Sequence, residues 1–215
     1  MVCNMSLTAC FPSARPAQQA GTTLITTLLM LTVILLLGTA SAQLALQGEK
    51  SSRNDRDHQI AFQAAEAALI DAEMDIQQSP DPLRSRSHLF VAEILQDEAV
   101  LAEGECGAGM QNAWLGVCRQ LRMESEAAWK RIDFLAAGNA TTAIPYGHFT
   151  GRSFQTGIGT LPAALPRYII EYMPYRGPGQ SAEQVEYLYR ITAVGFGVRE
   201  TTRVALQSFY RKMPL

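Results

Sequence analysis

No Asp, Glu, Lys, Arg or His occurs between Arg15 and Glu49, and within that stretch Leu24 to Leu37 is almost wholly Leu, Ile, Val, Met and Thr. The uncharged run from Gly21 to Leu46 exceeds the roughly 20 residues that an α-helix needs to cross a hydrocarbon core. A soluble domain could bury such a helix only if it surrounded it on every side. The rest of the chain is too small and too polar to do so, so the run is read as a membrane anchor over residues 22–46.

The 215 residues carry a net charge of -2, which gives no electrostatic case for nucleic acid. Charge leaves the orientation in conflict. Arg15 is the one basic residue shortly before the anchor, whereas Lys50, Arg53 and Arg56 follow it among Glu49, Asp55 and Asp57. Counting Lys and Arg alone would place the N-terminus outside; the processing signal described next places it inside.

Two such signals compete. Leu7-Thr8-Ala9-Cys10 has the shape of a lipoprotein box with Cys10 as acceptor, but Met1 to Ser6 supply neither a basic n-region nor an apolar h-region. Gln18-Gln19-Ala20-Gly21 instead stands directly before the apolar Thr22-Thr23-Leu24-Ile25. Downstream, Ile60-Ala61-Phe62-Gln63-Ala64-Ala65-Glu66-Ala67-Ala68-Leu69-Ile70-Asp71-Ala72-Glu73 continues in helical character.

The junction and that segment together resemble the N-terminal region of PilX-type minor pilins, over about Gln18 to Glu73. The resemblance implies that prepilin peptidase cuts between Gly21 and Thr22, and that the new Thr22 amine is methylated. It further implies an inner-membrane protein with a cytoplasmic N-terminus and a periplasmic head, able to reach a pilus tip. Its partners would be other minor pilins, the major pilin, the inner-membrane assembly platform and membrane lipid, with no cofactor, no metal and no catalysis. Most major pilins carry Glu as the fifth residue of the mature chain. Thr26 stands there instead, so this chain cannot offer the buried carboxylate that pairs with a neighbour's amine. A type II secretion pseudopilin and a membrane-anchored enzyme are the competing readings.

The helix is expected to run from Thr22 to residue 78, ending at Ser79-Pro80-Asp81-Pro82, where two prolines forbid continuation. Gly38 and Gly48 would weaken it. Phe62, Ala65, Leu69, Ala72 and Ile76 form its apolar stripe, with Glu66 and Glu73 beside the stripe and Asp71 projecting from the opposite side. Glu66 is expected at the edge of the core, bonded to backbone amides, rather than at a subunit contact.

Residues 79–215 then form a head. An irregular connection spans residues 83–165, with helical runs expected at His88 to Leu101 and Gln120 to Leu135. Aromatic and β-branched runs at 167–173, 186–194 and 202–210 predict an antiparallel meander within residues 166–211, with room for a fourth strand near Phe149 to Phe154. The fold class expected is therefore α+β and pilin-like, a long helix packed on a C-terminal sheet of three to four strands.

Removal of residues 1–21 would take Cys3 and Cys10 with it. Cys106 and Cys118, set among glycines, then read as a disulfide in an oxidising compartment, with a zinc site as the alternative. His58, His88 and His148 are isolated and read as solvated or capping residues, and Gly157-Ile158-Gly159 reads as a turn.

Overall fold

A computed structural model describes residues 21–97, 100–102, 104–120, 127–176 and 185–214. The leader, with Cys3 and Cys10, lies outside the described residues. The chain divides into two compact units, Met1–Ser51 and Ser52–Leu215.

Helix α1 spans Thr22–Gln77. It begins at the apolar run, and it ends three residues before Pro80, whose ring and missing N–H exclude it from a helix interior. Its first unit is long and apolar enough to cross a membrane, and none of its most apolar window is buried.

In the second unit, short helices α2 (Ala92–Leu95) and α3 (Ala128–Arg131) and 3-10 turns at Ser87–Leu89 and Gly138–Ala140 punctuate the connection. The helical runs expected at 88–101 and 120–135 are thus confined, among described residues, to these single turns. Strands β3 (Arg167–Tyr175), β4 (Glu186–Phe196) and β5 (Arg203–Tyr210) form the antiparallel meander.

The sheet departs from the expectation in two respects. Strand β1 (Val117–Arg119) adds to β3 in parallel, with Val117 opposite Ile170, which makes the sheet mixed. Strand β2 is the pair Ile144–Pro145 on β3, and residues 149–154 form no strand. The five strands have the order β1-β3-β4-β5, with β2 pairing beside β1 on β3.

Both faces of the central strands are covered. Tyr168, Ile170, Tyr172, Tyr189, Ile191 and Ala193 meet Ala68, Ala72 and Ile76 of α1. On the other face Ile169, Val194 and Phe196 pack with Cys118, Ala128, Phe134 and Ala143. Strands buried on both sides lose strict alternation, which is why β3 reads as a near-continuous apolar run.

The buried face of α1 is rotated from the expected stripe. Ala61, Ala64, Ala65, Ala68, Ala72 and Ile76 are buried, whereas Phe62 is exposed and Leu69 half-buried. Small side chains let the sheet approach the helix backbone. A Cβ placed on Gly195 would lie 2.1 Å from the Ala61 carbonyl oxygen and 2.4 Å from the Ala65 nitrogen, so β4 rests directly on α1. No larger residue fits there.

Candidate functional site

The apolar segment of α1 carries its hydroxyls inward on itself. Thr26 Oγ1 donates to the Thr23 carbonyl at 2.9 Å, and Thr27, Thr32, Thr39 and Ser41 bond to carbonyls three or four residues back in the same way. Such bonds make a hydroxyl tolerable in hydrocarbon. Gly21 lies in the turn before the helix, and Thr22 is its first residue. Every residue from Gly21 to Lys50 is exposed, and from Leu24 to Leu37 that surface is almost wholly Leu, Ile, Val, Met and Thr, which lipid or other apolar helices can cover.

Further along, α1 holds the head through three buried aspartates. Asp57 accepts hydrogen bonds from Val198 N, Arg199 Nε (3.0 Å) and Thr202 Oγ1 (2.7 Å), which fixes the β4–β5 connection. Burial pushes its carboxyl up, but the bonds from Thr202, Arg199 and Val198 outweigh this and hold it below the ordinary carboxylate value. Gly197 makes room for it, since a Cβ there would meet Asp57 Oδ1 at 2.1 Å.

Asp71, expected to project away from the core, is fully buried. It accepts from Gly147 N (2.8 Å) and from Thr150 Oγ1, and so ties down the loop after β2. Burial raises its pKa despite these bonds. Asp75, one turn on, receives Arg86 Nε and Nη2 together with the Tyr168 hydroxyl at 3.0 Å. Burial pushes the Tyr168 phenol well above its usual range, so it remains a donor. Gln77 completes the set: its Oε1 accepts from Met213 N and its Nε2 donates to Met213 O, as a strand neighbour would.

These four residues, at 57, 71, 75 and 77, each bind a different segment of the head. No spacing rule marks them, because a buried acid in a helix has no pattern until its partner is known.

Glu66 does not behave as expected either. It is exposed and, among the described residues, bonds to no backbone amide, standing between exposed Phe62 and Ile70.

On the far face of the sheet, Cys106 and Cys118 form a disulfide, with Cα atoms 4.1 Å apart. It staples residues 104–107 alongside β1, where Gly107 N and Gly104 N donate to Val117 O and Arg119 O. Beside it, Glu171 is buried and takes two 2.8 Å bonds from Arg190, and its Oε1 accepts from Ala128 N. The cover over this face is thereby fixed at two points.

Among the described residues no group of three His, Cys, Asp or Glu could hold a metal. His58 and His88 are exposed; His148 is half-buried edge-on to Phe149, and burial lowers its pKa. A cleft of about 520 Å³ lies between Phe90, Tyr187, Tyr189 and Met213. Its cations are engaged within the fold, Arg211 with Glu186 and Lys212 with the Ser87 carbonyl.

A long apolar N-terminal helix whose second half packs on a mostly antiparallel sheet defines a pilin-like α+β protein. Two family models match the sequence: "PilX N-terminal" over residues 20–69 and "Type IV pilus assembly protein PilX C-term" over residues 106–212. The chain belongs to the PilX family of type IV pilus assembly proteins. No curated protein and no solved structure matches it significantly.

Proposed function

We propose that this chain is a minor pilin that primes type IV pilus assembly, within a complex of minor pilins at the inner membrane or the pilus tip. It is inserted with its N-terminus in the cytoplasm and its head in the periplasm. Prepilin peptidase cuts between Gly21 and Thr22, the Thr22 amine is methylated, and the apolar helix then associates laterally with those of other minor pilins and the major pilin. The protein acts by binding and has no catalytic role of its own; motility and adhesion depend on it indirectly.

One observation carries the priming role. Where most major pilins place Glu, the hydroxyl of Thr26 is bonded to its own helix, to the Thr23 carbonyl. A subunit that cannot offer a carboxylate to its neighbour's amine is unsuited to repeated addition along a shaft, and suited to a position with no subunit ahead of it. Since membrane helices gain little by leaving lipid for one another, specificity falls to close packing at Gly38, Ala40, Ser41 and Ala42 and to contacts between heads.

The test is Thr26→Glu in the native bacterium, followed by immunogold labelling of sheared pili. Label along the shaft at levels approaching the major pilin supports the reading. An unchanged distribution counts against it.

A further inference from the structure

Strand β5 stands at one end of the sheet order, and among the described residues only β4 pairs with it. Each residue from Arg203 to Tyr210 faces one residue of β4, from Phe196 back to Tyr189, without a bulge. Gly197 N donates to Thr202 O, so in the antiparallel alternation that continues from this bond the N–H and C=O of Arg203, Ala205, Gln207 and Phe209 point off the sheet. The same four residues are exposed, Phe209 to 62%. An open edge about 27 Å long is a template for another strand, and folds ordinarily blunt it with a proline, a bulge, a charge or a covering loop. Between Arg203 and Arg211 the chain has no proline and no charge, and the tail beyond β5 turns away to Gln77, which holds Met213 at both its N–H and its carbonyl.

We infer that this edge takes an extended segment of a different protein as an added strand, a segment apolar through its middle with Asp or Glu at each end. The outward backbone groups of β5 supply the bonds that hold such a strand, and the side chains decide which strand is held. Val204, Leu206 and Tyr210 on the helix side of β5, with Ala205 and Phe209 on the other, would flank its middle. Both ends of the edge are basic. Arg203 gives Nε to the Glu200 carbonyl but meets no carboxylate among the described residues, while Arg211, paired with Glu186 at 3.6 Å, remains 61% exposed beside Lys212. No Asp or Glu follows Glu200 in the chain. A second copy laid along the edge would set basic end against basic end in either direction. An acidic-ended strand satisfies the backbone, the apolar surface and the charge together.

Two measurements test this, and neither depends on the pilus reading. In the purified full-length protein in detergent, hydrogen exchange is followed amide by amide; Ala205, Gln207 and Phe209 are expected to exchange about tenfold or more faster than Leu206 and Ser208. In the native bacterium, p-benzoylphenylalanine replaces Phe209 or, as a remote control, the exposed Leu83, and intact cells are irradiated. The expected result is an adduct from position 209, and not from 83, with a different protein, joined within an extended segment that carries Asp or Glu at both ends. Ala205→Pro removes an outward N–H and no bond to β4, and it lowers the yield about fivefold or more. Arg203→Glu combined with Arg211→Glu does the same, while Arg203→Lys leaves the yield within about twofold. Slow exchange at the outward amides, an adduct with a second copy or joined to a helix, an adduct indifferent to these changes, or no adduct from position 209 overturns the inference. Each of these outcomes leaves the pilus reading standing, since that turns on the apolar helix.

Discussion

Arg86 and Asp75 form a two-point ion pair inside the head: Nε lies 3.0 and 3.2 Å from the two carboxylate oxygens, and Nη2 lies 2.6 Å from Oδ2. Both side chains are almost fully buried. Arg86 also gives Nη1 to the carbonyls of Ala113 and Leu115 and lies over the Phe149 ring, so one guanidinium joins α1, the disulfide-bounded loop and the loop after β2.

Removing one member of this pair strands the other charge in the core. Arg86→Met is expected to cost about 3–5 kcal/mol, and a double change of Arg86 and Asp75 to apolar residues distinctly less than the sum. Denaturant titration of the detergent-solubilised protein measures both. Additive costs would show that the two residues do not act as a pair.

Gly195→Ala adds a methyl where the helix backbone already stands, at 2.1 Å from the Ala61 carbonyl oxygen. Neither backbone can yield locally, so α1 must move off β4, at about 3 kcal/mol or more. Gly38→Ala, which meets nothing within 4 Å, serves as the control and leaves the melting temperature of the head unchanged.

The pH dependence of Asp57 has a definite sign. Its carboxyl is held below its unfolded value, so its contribution is complete above about pH 4 and is lost as pH falls through the lower folded value. Asp57→Asn is therefore expected to cost about 1–3 kcal/mol at neutral pH and progressively less in acid. Asp71 runs the other way: its folded value is raised, so the fold gains stability as pH falls through that value toward the unfolded one. Paired acid titrations of the two Asn variants, followed by circular dichroism, separate the two.

The Cys106–Cys118 bridge closes a short loop, twelve residues apart in sequence, over the far face of the sheet. Chain-entropy arguments give it about 3 kcal/mol. Cys106→Ser with Cys118→Ser is expected to lower stability by that amount and to raise protease cleavage between residues 104 and 119, as read by limited proteolysis. An unchanged cleavage pattern would contradict the stapling role.

Much of this was legible before folding. The anchor announces itself because 33 consecutive residues without a charge have few other uses. The three long strands fall within two residues of their aromatic and β-branched runs, since a half-buried pleated surface selects those side chains. Strands β1 and β2, three and two residues long, carry no periodicity to find. Ala65, Ala72 and Ile76 of the expected stripe are buried, but the buried face is centred about 60° round from it, toward Ala61, Ala64 and Ala68. Phe62 and Leu69 drew the stripe toward themselves by their size, while the helix buries alanines because β4 comes too close for anything larger. Asp71 was turned outward for the same reason. Its burial depends on Gly147 and Thr150, 76 and 79 residues away, and no local pattern reports partners at that distance.

The central claim is that a leader is removed and the whole apolar helix retained for assembly. Intact-mass and N-terminal analysis of the protein from membranes containing prepilin peptidase tests it most directly. A mature chain beginning at methylated Thr22 is the predicted result; a chain that still carries Gly21 would contradict it.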